Sequence, residues 1–316
     1  MQNGHWLGHR QTTLAQTFTL SGVGVHGGSV ANMTVHPAEA DTGIQFLRTD
    51  AEGAGPILAR HDNVAATELA TVVGDPSVLA VSTVEHLMAA LYGMGIDNAL
   101  IEIDGPEVPI MDGSAALFCD HIARGGITLL ASPRRFIEVL SPVRVAQGAS
   151  FAELLPNDTG FRLETEIAFD HVAIGRQRIT VDLTPSAFRR ELARARTFGF
   201  MSDVEKLWAA GFALGASMEN CVVVNDDGVM NRDGLRFRDE FVRHKALDVV
   251  GDLALAGLPM LATYRSFRGG HRLNASMLRA LFADPTSYRI VDSAVGRRVA
   301  QSGAWGAVAA AHAPQR

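Results

Sequence analysis

Residues 239–257 read DEFVRHKALDVVGDLALAG. Val242, Ala246, Val249, Val250 and Leu253 recur there at i, i+4, i+7, i+8 and i+11, the spacing of one buried helix face, and predict a helix over about 238–256. At about 100° per residue, His244, Asp248 and Asp252 fall on the side away from that stripe. Spacing alone favours a solvated face carrying an incidental His–Asp pair. Phe241 and Leu255 share the polar side, however, and that suits the wall of a cleft.

Around this helix the chain mixes short strands and helices. VANMTVHP (30–37), NALIEIDG (98–105) and FRLETEIAFD (161–170) alternate apolar and polar residues as half-buried strands do, and NCVVVND (220–226) and LPMLATYR (258–265) are also strand-like. Helical patterns cover STVEHLMAALYGMG (82–95) and segments near 186–195 and 203–211. No regular βαβ rhythm emerges, so the pattern predicts an α+β fold rather than a doubly wound sheet. Proline and charge interrupt the apolar pattern near Ser132–Arg135, the expected boundary between residues 1–132 and 133–316. The Ala-rich tail AWGAVAAAHAPQR is expected to fray.

At 316 residues the chain is long enough for two domains, each able to bury its own core. Its 28 Lys plus Arg against 34 Asp plus Glu give a net charge of -6, which argues against a general nucleic-acid binder. Two cysteines, Cys119 and Cys221, are too few for a disulfide scaffold and point to a reducing compartment. The first residues lack the apolar core of a signal peptide, and no apolar run is long enough to span a bilayer. The expected location is therefore cytoplasmic, without stable membrane insertion.

Several segments carry candidate chemistry. Ser82 and Glu85 have the spacing of a capping box, while His86 falls off the helical stripe of Val84, Leu87, Met88 and Leu91. His244 and Asp248, one helical turn apart, suit two adjacent corners of a metal site that a remote imidazole such as His86 completes. In RSFRGGHRLN (265–274), His271 follows two glycines: either a mobile turn or a proton donor beside a ligand, with Arg265, Arg268 and Arg272 suited to phosphate. GVGVHGG (22–28) lacks a full dinucleotide fingerprint and reads as a Gly-rich hairpin.

Taken in order, SGVGVHGG, STVEHLMAALYGMGIDNALIEIDGPEVPIMDGSA, ARTFGFM, NRDGLRFRDEFVRHKALDVVGDLALAG and RGGHRLN closely resemble the UDP-3-O-acyl-N-acetylglucosamine deacetylases of Gram-negative bacteria, from about Gln11 to Ser287. The resemblance implies two similar layered sheet-plus-helix domains facing each other, each with a small insert, and an active site between them. It implies one zinc ion per chain, held by His86, His244 and Asp248, and removal of acetate from the 2-amino group of a UDP-linked, 3-O-acylated glucosamine, the committed step of lipid A synthesis. An alternative is a metallohydrolase of another nucleotide-linked or acylated amide.

Carried over by position, Glu85 is the general base and His271 the proton donor to the leaving amine. Thr197 stabilises the oxyanion, Lys245 contacts substrate and Asp252 orients His271. An insert within about 198–224 implies a passage for the acyl chain, with Phe198, Val204 and Ala213 among its walls, and Arg268 and Gly270 near the substrate. Ala70 stands where some relatives have a cysteine near the metal, and 58–77 is less family-like, so no site residue is carried from it.

Overall fold

The computed structural model describes residues 8–293. The tail expected to fray lies outside the described residues. The fold is α+β, with six α-helices among the described residues: α1 (Glu85–Met94), α2 (Ala116–Gly125), the single turn α3 (Pro185–Ala187), α4 (Met201–Ala209), α5 (Glu240–Ala254) and α6 (His271–Ala283).

Two sheets supply the framework. The first has five strands in the order Phe18–Val23, Val30–Pro37, Ala99–Ile103, Ile44–Arg48 and Ile57–Leu58. The second has seven and is organised around Met260–Phe267, which pairs antiparallel with Ser150–Pro156 and parallel with both Phe161–Ala168 and Arg135–Val139. Alternation sorts their side chains: Phe161, Leu163 and Ile167 turn into the core while Glu164 and Glu166 stay half-buried on the other face. Ile127–Pro133, paired with Arg10–Leu14, ends one residue before Arg135–Val139 begins, so only Arg134 separates them. Arg134 is buried and binds Asp97 through Nη2 at 2.8 Å.

Helices α1 and α5 pack against each other, and α5 also packs on Phe161–Ala168 and Arg176–Asp182 of the second sheet. Every residue of α1 is buried, and in α5 only Arg243 and Lys245 reach half-burial. The solvated face that spacing favoured for His244, Asp248 and Asp252 is therefore absent, and that side of α5, Phe241 and Leu255 included, is buried. The cause is close packing at Gly251, where a Cβ would overlap the main-chain carbonyl of Glu85. Gly251 lies three residues after Asp248 and seven after His244, on the same face, so the helix backbones touch where the polar residues sit.

Three local expectations are corrected. The Ser82–Glu85 capping box does not form: Ser82 Oγ donates to Pro106 O and Glu85 opens α1 without capping it. The pattern near 186–195 condenses to α3 and a five-residue π-turn, Phe188–Leu192. His271 is not in a mobile turn but is the first residue of α6. The hairpin reading of GVGVHGG holds: Gly24 N donates to Ser29 O and Gly28 N to Gly24 O between two antiparallel strands.

Gly251→Ala is expected to lower unfolding stability by about 1–3 kcal/mol through overpacking. Gly55→Ala, where an added Cβ meets open space, is expected to stay within about 0.5 kcal/mol of the parent. Urea melts of the two variants check the contrast.

Candidate active site

His86 at the start of α1 faces His244 and Asp248 on α5. Their ligating atoms all lie within 4.8 Å of one another, and all three residues are buried. Asp248 Oδ1 is 3.3 Å from His244 Nε2 and 3.6 Å from His86 Nε2, with the imidazole rings nearly perpendicular. Asp248 Oδ1 and His86 Nδ1 are buried without a hydrogen-bond partner among the described residues. Burial of unsatisfied polar atoms is costly, and a cation among these donors removes that cost at Asp248. The donors fit a metal ion. His244 Nδ1 donates to Ala195 O at 3.1 Å, which leaves Nε2 as a lone pair facing Asp248.

The main chain beside Ala195 is itself fixed. Glu240, fully buried in the first turn of α5, accepts from Arg196 N at 3.0 Å, Arg196 Nε at 2.9 Å and Arg236 N at 2.5 Å. Burial works against this carboxylate, but Arg196 holds its pKa below the ordinary value.

Protonation states follow from the surroundings. Burial drives the His244 pKa down to about 3 against the pull of Asp248, so the imidazole is neutral. Burial opposes ionisation of Asp248, yet the Lys245 ammonium holds its carboxyl well below the usual carboxylate range. Lys245 Nζ donates to Asp248 Oδ2 at 2.9 Å, and although burial opposes its charge, Asp248, Asp252 and Glu85 keep its pKa raised. A neutral imidazole and an ionised carboxylate are the forms in which these groups ligate metals.

A second pair lies beside this cluster. His271 Nδ1 donates to Asp252 Oδ2 at 2.9 Å, and its Nε2 is 3.7 Å from Glu85 Oε1. Burial alone would lower the His271 pKa, but Asp252 and Glu85 outweigh it and bring it up to about 10. Burial raises Glu85, against the attraction of His271 and His86. The site therefore pairs a carboxylate of raised pKa with an imidazole that stays protonated at neutral pH.

These groups open onto a cavity of about 330 Å³. Glu85, His86, Thr197, His244, Lys245, Asp248 and His271 line it together with Phe198, Phe200, Val204, Leu207, Trp208 and Ala213. The Phe198 ring packs edge-on against Phe241 and lies 5.7 Å from Lys245 Nζ. Asp252 stands behind His271 rather than in the wall. Arg268 and Gly270 are not brought into this cavity: the Arg268 guanidinium lies over the Phe267 ring, and Gly270 precedes α6 and accepts from Leu273 N and Asn274 N.

Sequence reading missed other residues. His26, from the hairpin, lines the cavity, and its loop is held by Glu107, which accepts from His26 N, Gly27 N and Thr83 Oγ1. Asn274 Nδ2 donates to Asp252 Oδ2 at 2.7 Å. Thr71, inside the stretch from which no residue was carried over, contacts both Glu85 and Asp252. Asn274 is readable once His271 is placed on a helix, because i and i+3 share a face. Thr71 has no local pattern to announce it.

Two imidazoles and a carboxylate around a common point, with a carboxylate and a protonated imidazole alongside, define the donor set of a mononuclear metallohydrolase. Comparison with known proteins narrows the class. The chain matches the LpxC family, described as UDP-3-O-acyl N-acetylglycosamine deacetylase, over residues 11–283 and belongs to it. It is 51% identical over 284 residues to proteins named UDP-3-O-acyl-N-acetylglucosamine deacetylase from Brucella ovis, Brucella abortus and Brucella melitensis, covering 90% of this chain and 99% of each relative.

Arg196→Met leaves the Glu240 charge buried and unpaired, so it is expected to cost about 3–5 kcal/mol of stability. It should also weaken metal binding, because the Ala195 carbonyl that orients His244 loses its anchor. Paired urea melts and metal titrations of variant and parent check both effects.

Proposed function

We propose that this chain hydrolyses the N-acetyl group of UDP-3-O-(3-hydroxyacyl)-N-acetylglucosamine, releasing acetate and the free 2-amine, with one Zn2+ held by His86, His244 and Asp248. The observation that carries this reading is the buried three-residue donor cluster beside Glu85 and His271 in the wall of a largely apolar cavity. Held by His86, His244 and Asp248, a zinc ion would supply Lewis acidity towards the amide carbonyl and a bound water. Nitrogen and oxygen donors without a thiolate suit it, and the nearby Cys221 thiol has its pKa pushed up to about 11 by burial.

The chain's own residues supply the proton transfers. Glu85, ionised, takes the proton of the attacking water. Thr197 and the charged His271 stabilise the negative charge that develops on the former carbonyl oxygen. Collapse expels an amine, and His271, held protonated by Asp252, gives that nitrogen its proton. Lys245 adds positive charge at the cavity wall, where a UDP-linked substrate brings negative charge.

The passage proposal rests on α4 and the three-stranded sheet formed by Phe198–Phe200, Val222–Asn225 and Gly228–Val229. Phe198, Val204 and Ala213 are its acyl-facing residues, and Arg268 and Gly270 lie outside its wall. A division near Ser132–Arg135 is supported by sheet membership, since the five-stranded sheet uses only residues 18–103 and the seven-stranded sheet only 135–292; the strand Ile127–Pro133 runs across 132/133, so the break falls at Arg134. Cytoplasmic location is supported by two buried free cysteines and by the absence, among the described residues, of any helix long and apolar enough to cross a membrane.

Activity should follow a bell-shaped pH profile. It rises as Glu85 deprotonates, above the ordinary carboxylate range because its pKa is raised, and falls as His271 loses its proton. A bound cation lowers both pKa values, so each limb in the zinc enzyme lies below its metal-free position. Asp252→Asn is expected to move the alkaline limb further down. Glu85→Gln and His271→Ala are each expected to lose about 10²–10⁴-fold in kcat with zinc retained; unchanged turnover in either would overturn the assignment of roles.

Comparing acylated with non-acylated UDP-sugar tests the passage. A kcat/KM loss of at least about 10-fold on removing the acyl chain is expected from lost apolar burial alone. Equal values would favour an enzyme of another amide.

A further inference from the structure

Thr71 is 2% exposed and makes three hydrogen bonds at the site. Its main-chain N–H donates to Glu85 Oε2 at 3.1 Å, its hydroxyl donates to Asp252 Oδ1 at 2.6 Å, and its carbonyl accepts from Val84 N at 3.3 Å, just before α1. The other oxygens of the two carboxylates turn to one imidazole. Asp252 Oδ2 accepts from His271 Nδ1, and Glu85 Oε1 lies 3.7 Å from His271 Nε2. Thr71, Glu85, His271 and Asp252 therefore close a ring in which each carboxylate has one oxygen on Thr71 and one towards His271.

The arrangement constrains what is otherwise soft. A carboxylate turns easily about its last torsion, and only contacts at both oxygens fix its plane. Asp252 meets donors on both sides: Thr71 Oγ1 on Oδ1, and His271 Nδ1 with Asn274 Nδ2 on Oδ2. Tyr264 Oη donates to Asn274 Oδ1 at 2.5 Å, which fixes the amide with its NH₂ towards Asp252. Thr71 is β-branched and restricted at χ1, so a fixed backbone also fixes its hydroxyl.

We infer that Thr71 is a positioning residue that orients the proposed general base and the Asp252–His271 pair together, so that both proton transfers share one frame. The inference rests on the deacetylase reading and goes beyond it by joining the two groups through a residue that is neither one of the metal donors nor part of the cavity wall. A merely structural Thr71 would satisfy its buried hydroxyl and do nothing more. The two roles differ in what they do to kcat.

The test uses the full-length zinc-loaded protein. Thr71→Val keeps the shape and the N–H but removes the hydroxyl; Thr71→Ser restores it. Thr71→Val is expected to lower kcat between about 10- and 100-fold, the range for losing a hydrogen bond to a charged group, with KM changed by less than about twofold and zinc content unchanged. Thr71→Ser should recover most of kcat. An independent readout is the downfield proton resonance of the His271 Nδ1–H to Asp252 hydrogen bond, expected in the parent and Thr71→Ser and shifted in Thr71→Val. Parent-like kcat and resonance in Thr71→Val overturn the inference, as does a kcat loss that Thr71→Ser shares and that tracks melting temperature. If the parent itself fails to deacetylate the UDP-sugar, the proposed function falls, and the resonance still decides the role of Thr71.

Discussion

The site depends on how closely α5 approaches α1. At Gly251 nothing but hydrogen stands between the two backbones, since a Cβ there would overlap the Glu85 carbonyl. That approach places His86 within reach of His244 and Asp248 and puts Glu85 opposite His271. A helix of ordinary side chains at the same crossing would hold the axes farther apart, about 8–10 Å depending on the contact residues. That separation would draw His86 away from His244 and Asp248.

Such convergence puts Glu85, His86, His244, Asp248 and Asp252 out of water, where isolated charges are costly. The fold offsets the cost by pairing rather than exposure. His244 is neutral and donates to a carbonyl, Asp248 faces Lys245, and Asp252 accepts from Thr71, Asn274 and His271. Among the described residues Asp248 Oδ1 and His86 Nδ1 are left without hydrogen-bond partners, and a metal fits beside the former. The same environment sets the chemistry: burial raises Glu85, and two carboxylates keep His271 charged.

Much of this was legible in the residues, and the failures have physical causes. Alternation in NALIEIDG and FRLETEIAFD marked strands because each packs one face on the core, and the α5 stripe marked its helix. Periodicity could not show that the polar side of α5 is covered, because burial there is a tertiary event. The clue was Gly251 itself: mid-helix glycine costs about 1 kcal/mol relative to alanine, so it signals a packing need. Ser82 and Glu85 had cap spacing, but the Glu85 carboxylate reaches Thr71 instead. Family resemblance named Glu85, His86, Thr197, His244, Lys245, Asp248 and His271, which the structure gathers in the wall of one cavity, and Asp252, which stands behind His271. It did not extend to Thr71, and it named Arg268 and Gly270, which lie outside that wall.

The central claim is that α1 and α5 together hold one metal ion through two imidazoles and a carboxylate. X-ray absorption at the zinc edge of the loaded protein tests it most directly. The account predicts two imidazole nitrogens and light oxygen donors in a four- or five-coordinate shell, without sulfur. A sulfur scatterer from Cys221, or a shell with one imidazole or none, would contradict it.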